Sequence, residues 1–166
     1  MAQKNGRRIA AIAAAVALGI VAIPSPASAA DFEFVVPAGQ VCSFELKVTG
    51  TGGSAVEREF TNPKTGTVRT LTAGRGSDLT FTNTSTGATF SLKGNGSVSS
   101  TIVGPDGGGT VRSTGHNVIL MFPTDVPAGP STTLYVGQVV YETDAQSNFT
   151  ILSSSGRTTD ICGQLS

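Results

Sequence analysis

His116 is the only imidazole in the chain and stands in Thr114-Gly115-His116-Asn117. Imidazole changes charge near neutral pH, so a nucleophile–base–acid relay in this protein would have to pass through it. Serines are abundant, but none occupies a Gly-x-Ser-x-Gly turn of the kind that exposes a nucleophile. The carboxylates are dispersed: Asp125, Asp144 and Asp160 stand singly, and Glu57 and Glu59 are neighbours on one strand face. Two carboxyl groups held several ångströms apart would suit glycoside cleavage. Sugar-cleaving sites also need aromatic platforms; here there is no Trp, and the tyrosines are Tyr135 and Tyr141. Asp106-Gly107-Gly108-Gly109 offers a single carboxylate where calcium takes a denser set of oxygens. The same glycines lack the Gly-Lys-Ser/Thr ending of a phosphate loop. No catalytic, cofactor-binding or metal-binding residue is assigned on this basis, and His116 stays a polar turn residue with a hydrolase as its alternative.

Cys42 and Cys162 are the two cysteines, separated by 120 positions. In an oxidising compartment they read as one disulfide, against a metal-binding pair or a nucleophilic thiol.

These residues sit in a pattern of short strands. Phe32, Phe34 and Val36 alternate with other residues, and Cys42, Phe44, Leu46 and Val48 alternate with polar ones, which reads as a half-buried strand running from Cys42. Residues 56–61 follow, with Arg58 on the face of Val56 and Phe60, so this strand lies at a sheet edge or bends. Asn62-Pro63-Lys64-Thr65-Gly66 predicts a hairpin turn. Asn95-Gly96 predicts a tight hairpin between 89–92 and 98–103, because a type I′ turn needs positive φ at both positions. Residues 111–114 and 117–122 read as separate strands flanking His116, the second apolar enough to be covered on both sides. Residues 132–143 form the longest strand, with Gly137 a bulge or close-approach site, and 148–152 closes the sheet. The fold class expected is all-β: an antiparallel sandwich or barrel of roughly eight to ten strands. Two similar Phe-Thr-Asn turns, at Phe60 and Phe81, read as recurrent hairpin chemistry rather than a repeat.

Ahead of this domain lies a different composition. Lys4, Arg7 and Arg8 precede an unbroken small-apolar run over 9–23, and Ala27-Ser28-Ala29 is a small-x-small cleavage pattern. Residues 1–29 read as a helical export signal cut between Ala29 and Ala30, leaving one secreted domain over 30–166. The run is shorter than the roughly 20 residues of a membrane-crossing helix, so no stable membrane span is expected. General secretion is preferred to the twin-arginine route that Arg7-Arg8 would permit. Cleavage removes three bases and no acid, so a neutral chain becomes one of charge −3. Without a sequence cluster of Lys and Arg, nucleic acid is not expected as a partner. Asn83, Asn95 and Asn148 match the glycosylation pattern, but the Ala-rich signal with its Pro24-Ser25-Pro26 ending reads as bacterial, where that pattern carries no weight.

Cys42-Ser43-Phe44, Phe60-Thr61-Asn62-Pro63, Thr114-Gly115-His116-Asn117 and the closing Phe149, Ser155-Gly156 and Asp160-Ile161-Cys162 resemble a group of small secreted proteins of high-GC Gram-positive bacteria. That resemblance spans most of 40–166. It implies origin and export, and no activity. The function expected is a non-enzymatic extracellular domain that binds a cell-wall, carbohydrate or protein ligand, or an envelope-associated structural protein. The alternatives are a hydrolase using His116, and an inhibitor of extracellular proteases presenting the proline-rich loop 123–130.

Overall fold

Alternation of branched and aromatic residues with Ser and Thr builds strands over most of the described chain. The computed structural model describes residues 27–28, 31–104 and 107–166. Its elements are β1 (Ala27–Ser28), β2 (Phe32–Val36), β3 (Leu46–Thr51), β4 (Ser54–Thr61), β5 (Val68–Arg75), β6 (Asp78–Asn83), β7 (Thr89–Leu92), β8 (Gly96–Val103), β9 (Gly109–Met121), β10 (Ser131–Thr143), β11 (Phe149–Asp160) and α1 (Ile161–Gln164). They form a seven-stranded antiparallel sheet, β1-β4-β5-β8-β9-β10-β11, and a four-stranded antiparallel one, β2-β3-β6-β7. Neither sheet closes on itself, so the fold is a sandwich and not a barrel.

The small sheet packs on only part of the large one. Leu46, Val48 and Phe81 from the small sheet meet Leu134, with Val118, Leu120 and Val136 packed alongside. Ile161 and Leu165, both fully buried, close this core from the C-terminus. On the opposite face of the large sheet, Ile119, Met121 and Val139 form a second cluster with Tyr135, Tyr141, Phe149 and Ile151. The end of β9 is therefore covered on both faces, as its uninterrupted apolar run predicts. β4 is exposed along its whole length, which explains why Arg58 can share a face with Val56 and Phe60.

A row of small residues crosses the large sheet where the sandwich ends. Ala55 pairs with Gly74, Gly74 with Ser97, Ser97 with Gly115, Gly115 with Gly137, and Gly137 with Gly156. Gly115, Gly137 and Gly156 have φ of +99°, +141° and +99°. Such values break the pleat and suit only glycine. At Gly137 the space a Cβ would occupy is taken by the backbone of Ser155 and Gly156. The close-approach reading of Gly137 is right. The register irregularity of β10 and β11 falls instead between Val140 and Tyr141.

Several sequence expectations are corrected. Asn95-Gly96 is no hairpin: β7 belongs to the small sheet and β8 to the large one, so the dipeptide is a crossing between layers. Neither residue has positive φ. His116 lies not in a turn but inside β9, because Gly115 bends the strand without ending it. Cys42 precedes its strand, which begins at Leu46. It still points inward, in a bent segment where the buried Thr132 hydroxyl donates to the Val41 carbonyl at 3.0 Å. β11 continues to Asp160, past the residue 152 at which the apolar pattern stops. Residues 1–26 of the expected export segment and its expected Ala29–Ala30 cut lie outside the described residues, as does Asp106. Ala27 and Ser28, the described part of that segment, pair with Ala55 and Ser54; cleavage would leave β4 as the outermost strand.

Candidate ligand site

The sandwich opens at one end into a cavity of about 450 Å³. The small sheet contributes Leu79, Phe90 and Leu92, and the large sheet contributes Val118, Leu134 and Val136. These side chains extend the main core, so the floor is a continuation of the hydrophobic interior that reaches solvent. The wedge forms because β9, β10 and β11 approach the glycine row here, beyond which no second sheet lies against this face. Apolar pockets of a few hundred cubic ångströms carrying a few oriented polar groups are the usual form of a small-molecule site.

Its rim is basic. His116, Val136 and Arg157 lie side by side on adjacent strands, which brings the imidazole and the guanidinium to the same edge of the opening. Lys93 lines the other side. No carboxylate lines the cavity. Among the described residues, neither Arg157 nor His116 has a side-chain hydrogen bond or ion pair. Lys93, by contrast, is committed to Asp78 at 3.1 Å.

Asp78 organises the loop that borders this mouth. Its carboxylate accepts the Gly94 N–H at 2.7 Å and also takes Arg75 and Lys93. The Gly94 amide, then Lys93, hold its pKa below the ordinary 3.8. Asp144, in the turn between β10 and β11, is lowered in the same direction by the Asn148 side chain and by the Asn148 and Gln146 amides. Both acids are depressed in the folded state, so their contribution is complete above about pH 4. It is lost as pH falls through the lower folded values. Carboxyl-carbon NMR titration should place both midpoints below 3.8; midpoints at or above it would contradict these bonds.

The other sequence candidates are dispersed. Glu57 and Glu59 lie on exposed β4, where Glu57 accepts the Thr72 hydroxyl at 3.3 Å. Tyr135 and Tyr141 pack on the second core, Tyr141 with its ring 5.2 Å from Phe149, and burial raises the Tyr141 pKa. The exposed aromatics are Phe32, Phe34, Phe60 and Phe122, and the Phe32 ring covers Gly50 on the neighbouring strand. The loop 123–130 is held to the body by the buried Asp125, which accepts the Phe122 amide at 2.6 Å and the Phe149 amide at 2.8 Å. Cys42 and Cys162 form the disulfide, with Cα atoms 5.6 Å apart, so neither is a metal ligand or a free nucleophile. Sequence reasoning missed Arg157, the guanidinium at the cavity rim. It stands in a Ser- and Thr-rich stretch without apolar alternation, and only pairing with β10 brings it into one register row with His116. No protein-family model, curated protein or solved structure matches this chain.

Proposed function

We propose that the chain works outside the cell as a non-enzymatic binding domain whose ligand site is the cavity between the sheets. The observation that carries this reading is a pocket with an apolar inner wall, continuous with the core, whose rim holds Arg157 and His116 without side-chain partners among the described residues. The export-type segment and the disulfide support the extracellular setting. The hydrolase reading has no comparable support, because a base in a relay needs an orienting acid and a nucleophile within hydrogen-bond reach. His116 has neither.

Val136→Trp would fill the cavity while its neighbours on β10 keep their backbone pairing. Immobilised wild-type protein exposed to culture supernatant and cell-wall extracts is expected to retain a small-molecule component detectable by mass spectrometry, and Val136→Trp to lose it. Retention by neither protein, or equally by both, would sink the proposal.

A further inference from the structure

From the cavity's rim and floor together we infer that the ligand is an amphipathic carboxylate: one anionic head on an apolar chain. This rests on the cavity being the binding site. The inner wall carries the apolar side chains of Phe90, Leu92, Val118 and Val136, while the polar lining residues Ser77, Asn95, Thr158 and Thr159 sit beside the charged rim, so the part of the ligand that enters deepest is apolar. The mouth offers a planar guanidinium at Arg157 with no carboxylate on the cavity lining to neutralise it. Guanidinium recognises carboxylate through two parallel hydrogen bonds, and His116, two strands away in the same register row, puts a ring N–H on the same rim. The same face of the large sheet carries Arg58 and Arg112 in one register row, with Arg69 two positions along β5 from their neighbour Leu71. Glu142 stands on that face as well, two positions along β10 from Val140, the register partner of Arg112, but the bases outnumber it, which favours capture of an anion over a neutral or cationic amphiphile.

The geometry sets the pose: head at Arg157 and His116, chain running inward between Phe90 and Val136. Each methylene that enters should tighten binding about threefold to fourfold until the floor is reached.

The test is isothermal titration of the oxidised protein with sodium decanoate, 1-decanol and decyltrimethylammonium, each below its aggregation limit. Decanoate should bind at least tenfold more tightly than decanol, octanoate more weakly than decanoate, and the cation not at all. Arg157→Gln, an exposed change that leaves the fold intact, should weaken decanoate about fivefold to tenfold and leave decanol unchanged. Decanol binding as tightly as decanoate, with both lost in Val136→Trp, would overturn the carboxylate class and leave the cavity as the site. Binding of neither, with extract retention still abolished by Val136→Trp, would likewise overturn the class alone. Binding of neither together with no retention would remove both readings. Sedimentation with anionic phospholipid vesicles without decanoate binding would assign the basic face to a membrane surface and overturn the inference.

Discussion

Replacing Cys42 and Cys162 together by alanine is expected to lower the unfolding free energy by about 4 kcal/mol, enough to leave a large unfolded fraction in a domain of ordinary stability. The bond joins residues 120 positions apart, nearly the ends of the described domain. In the chain-entropy account a loop of this length strongly restricts the unfolded ensemble, and the folded state sacrifices little. The local packing adds to this. Val41, Cys42, Ile161 and Leu165 are each no more than 1% exposed and belong to one cluster. Without the bond, α1 is left to hold the C-terminus through four residues and the Asp160 side-chain cap on the Gly163 amide. Urea unfolding of wild type, of reduced wild type and of the double variant should show the last two shifted together to lower midpoints. An oxidised protein whose stability changed by less than about 1 kcal/mol on reduction would contradict the clamp. Intact mass should show the two-hydrogen deficit of the bond.

Gly137→Ala should be nearly as damaging, at about 3 kcal/mol or more, although it adds one methyl group. Its φ of +141° is a conformation L side chains rarely adopt, and its neighbours on β11 approach as backbone, which cannot swing aside. Gly39→Ala separates the two causes. Gly39 also has positive φ, +82°, but nothing lies within 4 Å of the added carbon, so it should cost only about 1–2 kcal/mol. Equal effects at the two positions would mean that the glycine row is not a line of close backbone approach. A selective loss at Gly137 would mark the row as the feature that lets one continuous sheet serve both as half of a sandwich and as an uncovered extension.

That row also explains the limits of the sequence pattern. Alternation finds strands that bury one face, and it located β3 and the apolar end of β9 for that reason. It divided β9 at Gly115 and stopped β11 near residue 152, because a glycine inside a strand and a run of exposed Ser and Thr leave no two-residue apolar period to follow. It also took Cys42 for a strand residue, since an inward cysteine two positions before Phe44 has the same periodicity whether a strand or a disulfide turns it inward. The Asn95-Gly96 error is of another kind. The dipeptide suits a hairpin, but its two flanking strands find better partners in different sheets: β7 lies against β6, and β8 between β5 and β9.

The sequence by itself determined the all-β class and the pairing of the only two cysteines, because strand periodicity and an exhaustive choice of thiols are local or countable properties. It also carries the export expectation. Tertiary structure alone assembled the candidate site. Arg157, His116, Phe90 and Val136 come from four strands with no shared motif, and their juxtaposition depends on register and on where the small sheet stops covering the large one. The same holds for Arg58, Arg69 and Arg112, scattered bases that pairing gathers on one face. Register is a long-range choice, made by many backbone hydrogen bonds and by which side chains the sheets bury between them, so no single segment encodes it.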